Sequence, residues 1–334
     1  MLLHPKAVFP ILEASSSGTL MPEHYHLALS WDWEFDRDFV AFLERRVHAE
    51  GMLFYSISHH NLDETIKALH KGSITISSFF DRASDTDEKF HALARLLRRP
   101  DVLQINPADA TRHAADKATM HLEFLSSGLE VPFTIIISPY NKKREIELSL
   151  SDLAQLGRPF IIKPANTTGG GVGVIMGAET LKDVIDTRQH HKNDKYLLQE
   201  EIRPVEMNST QAWFRVFYVF GKTIPCWWDP RTHVYSVVKG REMSLYGLSR
   251  LVEVTQKIFR VCRLDFFSTE IAITKERKFI VVDYVNETCD MRLQTRHPDG
   301  VPNTVVEIIC RQIASSLRKR LREEGSSQNR GSIC

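Results

Sequence analysis

The chain has 334 residues, 43 of them basic and 42 acidic, so its length calls for two or three subdomains and its balanced charge offers no bulk attraction to nucleic acid or an anionic membrane. Five cysteines, Cys226, Cys262, Cys289, Cys310 and Cys334, show neither CxxC nor His-paired spacing, which argues against a structural zinc site and a disulfide framework and for a reduced, cytoplasmic setting. No window reaches the roughly 18 uncharged residues of a spanning helix, and the apolar N-terminus is interrupted by Pro5 and Pro10 with no basic leader, so a soluble protein without a signal peptide is expected.

In chain order, His26–Trp31, Met52–Ile57, Ile74–Phe80 and Val102–Asn106 read as strands, and the stretches between them (36–51, 61–72 and 85–99) carry helical spacing. Each helix opens near an Asp or Asn, and the first two stop at Gly51 and Gly72. That alternation predicts a small parallel sheet with flanking helices. Asn106-Pro107 breaks the pattern, and one helix is expected from Pro107 to Gly128. A strand over Val131–Ile137, a polar hairpin-like stretch at Asn141–Arg144, a helix over Ser151–Gly157 and a strand running into a Gly-rich loop follow. From Tyr196 onward the chain is strand-rich (196–202, 213–220, 233–238, 268–274, 278–285), with one helix at Leu248–Cys262 and a closing helix over Pro302–Glu324. Residues 325–334 read as a disordered tail.

Two segments carry most of the chemistry. In Phe160–Val174, Gly169, Gly170, Gly171 and Gly173 follow a strand and two threonines, a composition whose backbone N–H groups can close around phosphate oxygens. A plain β-hairpin tip would use the same glycines. Lys163 favours the phosphate, because an ammonium inside an apolar strand is costly unless it meets an anion. In Thr269–Asn286, Glu270 and Asp283 lie in apolar strands joined by a charged turn, so an antiparallel pair can set their carboxylates side by side, where a divalent cation best relieves the repulsion. Asn286 adds a neutral oxygen, and few, hard oxygen ligands fit Mg²⁺ shared with phosphates. Lys117 by itself reads as a solvated lysine at a helix start, and Gln199, Glu200 and Glu201 as edge groups that can face an adenine. Glu206 can accept from ribose hydroxyls. Arg215, a cation in a strand, suits either a transferred phosphoryl group or an ion pair with one of the acids.

Lys117, Lys163 with its GGGVGV run, the LLQEE strand exit, Arg215 in FRV, and Glu270 followed by Asp283 and Asn286 occur in the order that resembles the ATP-grasp superfamily, in its glutamate-ligase-like branch of carboxylate-amine ligases. The resemblance implies an α/β (α+β) ATP-grasp fold: a pre-ATP-grasp domain over 1–106, a small subdomain with the Gly lid over 107–195 and a C-terminal subdomain with the metal site over 196–324. It implies further that Lys117 and Lys163 contact ATP, that Gly169, Gly170, Gly171 and Gly173 form the lid, that Gln199, Glu200, Glu201 and Ile202 line the adenine and Glu206 the ribose, and that Glu270, Asp283 and Asn286 hold Mg²⁺. Two departures stand out. The metal strand reads Asp283-Tyr-Val-Asn286 in place of carboxylate-x-Asn, which demands a β-bulge if Asn286 is a ligand, and the usual Ser-Pro-Gly after the Asn is Glu287-Thr288-Cys289.

The implied reaction joins a small-molecule carboxylate to an amine or thiol through an acylphosphate, with Arg215 and Arg292 as candidate catalytic cations and Tyr284, His233 and Arg241 as candidate acceptor-pocket groups. A homodimer is compatible with it. A kinase of the same fold, with Arg231, Lys239 and Arg241 around an anionic substrate, and an ATP-sensing protein without turnover are the alternatives. Replacing Glu270 or Asp283 is expected to relieve repulsion and spare the fold.

Overall fold

The computed structural model of the chain describes residues 21–146, 148–166, 173–207 and 209–331. Gly169, Gly170 and Gly171, expected in the lid, lie outside the described residues, as does the 1–20 stretch. No described helix is long and apolar enough to cross a membrane.

The N-terminal part contains β1 (Glu23–Tyr25), β2 (Leu27–Trp31), α1 (Arg37–Ala49), β3 (Phe54–Ile57), α2 (Leu62–Lys71), β4 (Ile74–Ile76), β5 (Ser78–Arg82), α3 (His91–Leu97) and β6 (Leu103–Ile105). Strands β3-β2-β5-β6 form an all-parallel sheet, the architecture that alternating strand and helix patterns require. The single strand expected over Ile74–Phe80 is two. At Ser77 the chain changes sheets: its N–H donates to Tyr25 beside the β1–β4 pair, while its carbonyl accepts from Leu103 beside β6. Helix α2 ends at Gly72, whose φ of 68° is the left-handed conformation that glycine adopts without strain.

The helix expected over 107–128 is also divided, into α4 (Ala108–Ala115) and α5 (Lys117–Ser126). Asp116 causes the break. Its backbone is extended, so its Oδ1 can accept from the N–H groups of Ala118 and Thr119 at 3.0 and 3.2 Å, while Lys195 binds Oδ2 at 2.6 Å. An internal cap of this kind outweighs continuous helical spacing. Next come β7 (Thr134–Ile137), α6 (Leu150–Leu156), β8 (Phe160–Pro164), β9 (Ile175–Ala178), α7 (Leu181–Arg188) and β10 (Tyr196–Glu200), with the strands in an antiparallel sheet of order β7-β10-β8-β9. Helices α6 and α7 each open on a reciprocal capping box, Ser149 with Asp152 and Thr180 with Asp183.

The remainder holds β11 (Glu206–Met207), β12 (Thr210–Gln211), β13 (Trp213–Val219), β14 (Lys222–Asp229), β15 (Val234–Val237), α8 (Gly240–Leu245), α9 (Ser249–Cys262), β16 (Phe266–Ile273), β17 (Phe279–Asn286) and α10 (Asn303–Gly331). Helix α10 continues past Glu324 into the stretch expected to be disordered. Strands β15-β14-β13-β16-β17 make an antiparallel sheet with different covers on its two faces. One face, with Phe214, Val216, Tyr218, Ile271 and Val281, packs on α5 and α9. On the other, Phe217, Val219 and Phe266 pack with Val305, Ile309 and Ile313 of α10, which also meet Phe39, Leu43 and Val47 of α1. Helix α10 thus joins the parallel domain to the five-stranded sheet. Beyond its cover this second face carries Arg215, Glu270 and Asp283. The four described cysteines are free and buried. Burial pushes the Cys226 thiol up to about 12 and Cys289 to about 11, so neither is a ready nucleophile.

Candidate functional site

Register places the acids. Glu270 of β16 lies directly opposite Arg215 of β13 on one side and Asp283 of β17 on the other, so the carboxylates are cross-strand neighbours as their spacing predicts. The required bulge is present. Ser268 pairs with Asn286, Glu270 with Asp283 and Ile271 with Val281, so the register slips by one residue on either side of Glu270. The slip between Ser268 and Glu270 absorbs Tyr284-Val285 opposite Thr269, and Asp283 and Asn286 come to the same face despite their odd separation. With its amide oxygen turned toward Arg215, Asn286 accepts from Nη2 at 2.6 Å.

Arg215 ion-pairs with Glu270 through Nη1, and Trp213 donates its indole N–H to the other Glu270 oxygen at 3.0 Å. Trp213 was missed in the sequence, although it stands two residues before Arg215 and therefore on its face. The Arg215 guanidinium also lies 5.5 Å from the Trp228 ring centroid. Burial works against its charge, but Glu270, Tyr235, Asp283 and Cys289 together outweigh it and raise the Arg215 pKa above the usual arginine value. Of the two roles foreseen for Arg215 the structure shows the ion pair with an acid, and its buried Nε has no partner among the described residues.

Lys163 is 6% exposed, and its Nζ donates to the Val282 carbonyl at 3.1 Å while lying 5.4 Å from the Tyr284 ring centroid. Burial lowers its pKa; Asp283 and Glu270 pull the other way, and Lys117 adds repulsion. Lys117, at the first position of α5, is no isolated surface lysine: of the cations near Asp283 its charge lowers that carboxyl's pKa most. Burial alone would raise the Asp283 pKa, but Lys117, Lys163 and Arg215 hold it below the ordinary carboxylate range. This corrects the expectation that repulsion between the two acids dominates. Three cations surround them, so removing an acid takes away an attraction.

The edge of β10 differs in part from expectation. Gln199 is fully buried and donates to Thr134 Oγ1 and Tyr284 Oη, each at 3.0 Å, and its own oxygen has no partner among the described residues. Glu200 is turned away, since its carboxylate accepts the Phe133 N–H at 2.7 Å. Glu201 lies 3.8 Å from Arg203, and Glu206 is exposed in β11 opposite Gln211. Ile202 packs with Trp213, Ala272, Ile280 and Val282, an apolar wall beside Lys163 and the acids. Gly173 stands at φ 78°, and a Cβ there would come within 3.3 Å of both His191 and Pro164, so the return from the Gly-rich segment is built for glycine.

Tyr284, expected in an acceptor pocket, is instead fully buried, with its hydroxyl 2.7 Å from His121 Nδ1. Burial, reinforced by Lys163, pushes the His121 pKa down to about 4. Arg292 is held by Asp290 and Asp299 and lies 5.7 Å from the Trp33 ring centroid. His233 stacks on Trp228 at 5.4 Å, Arg231 lies 3.7 Å from Asp229, and Lys239 and Arg241 face solvent. Glu287, just past Asn286, is raised by burial and by Asp85 and Asp283, with Lys117 opposing. The Thr288 hydroxyl donates to Asp85 at 3.1 Å, so the end of β17 meets the loop after β5.

No protein-family model matches the sequence, and no curated relative does. Solved structures do. The chain is similar to an ATP-grasp RimK domain protein from Sphaerobacter thermophilus (18% identity, TM-score 0.57, covering 87% of this chain and 98% of that one). It is similar also to a D-alanine–D-alanine ligase from Bacillus anthracis complexed with ATP (12% identity, TM-score 0.56, 90% and 99%). A third is the ATP-grasp ligase PsnB complexed with a minimal precursor, Mg and ADP (14% identity, TM-score 0.57, 87% and 98%). At these identities the likeness establishes the fold: the chain has the ATP-grasp fold over most of its length.

Proposed function

We propose that this chain is an ATP-dependent ligase that joins a small-molecule carboxylate to an amine or thiol through an acylphosphate. The observation that carries the reading is the meeting of Lys117, Lys163 and Arg215 with Glu270 and Asp283 on one face of the five-stranded sheet. A buried ammonium with three donors and, among the described residues, a single carbonyl acceptor is a poor structural choice and a good phosphate ligand. Two carboxylates and an amide oxygen on that face suit Mg²⁺, which prefers few protein oxygens and shares itself with phosphates. The residues therefore fit the pair.

In this reading Lys163 and Lys117 hold the phosphates, and the wall of Ile202, Trp213, Ala272, Ile280 and Val282 receives the base. Glu201 would stand with this wall on the adenine side, and Glu206 would accept from the ribose hydroxyls. Glu270, Asp283 and Asn286 would hold Mg²⁺, which when bound neutralises phosphate charge. The substrate carboxylate attacks the γ-phosphorus in line, an O–P bond forms as the bond to the ADP oxygen breaks, and Arg215 balances charge on the transferring group. The amine nitrogen then attacks the acyl carbon, loses a proton, and expels inorganic phosphate. Arg292, already shared by two carboxylates, is the weaker catalytic candidate. The proposed division remains 1–106, 107–195 and 196–324, a cytoplasmic enzyme.

The test is a pool of amino acids and amines screened for Mg-dependent ADP release, with hydroxylamine as acceptor. Hydroxamate formed in step with ADP supports the ligase. ADP with a stable phosphate monoester would identify a kinase, and nucleotide binding without ADP a sensor.

A further inference from the structure

A second cluster lies outside the nucleotide cleft, at the C-terminal edge of the parallel sheet. Strands β2, β3 and β5 are neighbours there, and the residues just beyond them bring Asp32, His59 and Asp87 together. His59 Nε2 is 3.0 Å from Asp32 Oδ1 and 3.1 Å from Asp87 Oδ2, and the three ligand atoms lie within 4.8 Å of one another. One N–H is directional, so a single hydrogen on Nε2 cannot lie in line with both oxygens. A divalent ion has no such limit. With bonds of about 2.1 Å, a nitrogen and an oxygen around a metal stand roughly 3 Å apart at right angles and about 3.4 Å apart at tetrahedral ones, so the spacing here admits such an ion after a shift of a few tenths of an ångström.

The ligands are also supported from behind. Asp87 Oδ1 accepts the Lys89 N–H at 2.9 Å, which orients the carboxylate, and the His59 ring meets Phe90 edge-on at 5.2 Å. We propose that Asp32, His59 and Asp87 form a site for a divalent transition-metal ion of the zinc class, separate from the Glu270–Asp283–Asn286 set. An imidazole nitrogen selects such ions over Mg²⁺, and three protein ligands leave positions open. The ion joins three loops. One of them carries Asp85, the acceptor of the Thr288 hydroxyl, so occupancy orders the border of the cleft just past Asn286.

This inference does not depend on the ligase reading, and its test uses no turnover. The full-length protein, stripped with chelator and free of nucleotide, is titrated with Co²⁺ while visible d–d absorption is followed, and with Zn²⁺ by calorimetry. One equivalent is expected at micromolar concentrations, weakened at least tenfold in His59→Ala and in Asp32→Asn and unchanged in Glu270→Gln. Asp32→Asn keeps the side chain's shape, so it guards against a folding defect in His59→Ala. Absence of binding below millimolar metal, or a wild-type titration retained by both His59→Ala and Asp32→Asn, would overturn the site.

Discussion

Lys163→Met removes one charge and little else, since methionine fills most of the space of the lysine stem. In the free protein the ammonium is a burden: it is 6% exposed, donates to one carbonyl, and has its pKa lowered by burial against the pull of Asp283. A group whose charged form the native state disfavours contributes no stability as a charge, so the variant should melt at the wild-type temperature or above it. With nucleotide bound the balance reverses. A charge-assisted hydrogen bond from a buried ammonium to a phosphate oxygen contributes roughly 1.5–3 kcal/mol. That corresponds to about 10- to 150-fold in dissociation constant. Calorimetric titration with the Mg complex of a non-hydrolysable ATP analogue, alongside thermal melts of both proteins, reads the two effects separately. An unchanged dissociation constant, or a weakened one accompanied by a large fall in melting temperature, would show that Lys163 is structural.

The acids should behave differently from one another in stability and alike in activity. Glu270→Gln strips the charge that faces buried Arg215 and should cost about 2 kcal/mol in denaturant unfolding; Asp283→Asn takes an anion from among three cations; both should abolish Mg-dependent turnover, and persistent turnover in either would remove it from the metal set. His121 should make the protein acid-sensitive. Its folded value of about 4 lies below the ordinary 6.5, so the unfolded chain takes up the proton first as pH falls; the contribution is full above about 6.5 and drops by about 2 kcal/mol between pH 7 and pH 5. Urea unfolding of His121→Gln at those two values should show a correspondingly smaller loss, and an identical loss in both proteins would contradict the assignment. Gly300→Ala should lower the melting temperature markedly, because its Cβ would meet the Arg292 and His297 carbonyl oxygens at 2.7 and 2.9 Å and the Leu293 carbonyl carbon at 2.8 Å; an unchanged melt would mean that the 290–300 loop moves freely.

What the sequence revealed of the site is what strand periodicity carries. Glu270, Asp283 and Lys163 stood out because each is a charge in an otherwise apolar strand, and the need for a bulge before Asn286 followed from counting residues. What stayed hidden depends on contacts between distant segments. Asp116 broke a helix because Lys195 and two amides gathered on its carboxylate, and nothing in the helical spacing marks that event. Tyr284, a candidate for the acceptor pocket, turns instead to His121 and Gln199, from two other elements. Glu200 looked like its neighbours, yet a single amide of Phe133 directs it away. The cations around Asp283 come from three separate elements, α5, β8 and β13, so their balance could not be read along the chain.

The central claim is that a carboxylate oxygen attacks the γ-phosphate of ATP on the face that carries Glu270, Asp283 and Arg215. Substrate carboxylates labelled with ¹⁸O test it most directly: the labelled amino-acid pool is incubated with protein, Mg²⁺, ATP and amines, and the released phosphate is analysed by mass. Transfer of one ¹⁸O atom from each consumed carboxylate into inorganic phosphate is the predicted result, because the acylphosphate leaves that oxygen behind on phosphorus. Release of phosphate without label, or consumption of ATP with no free phosphate at all, would contradict the account.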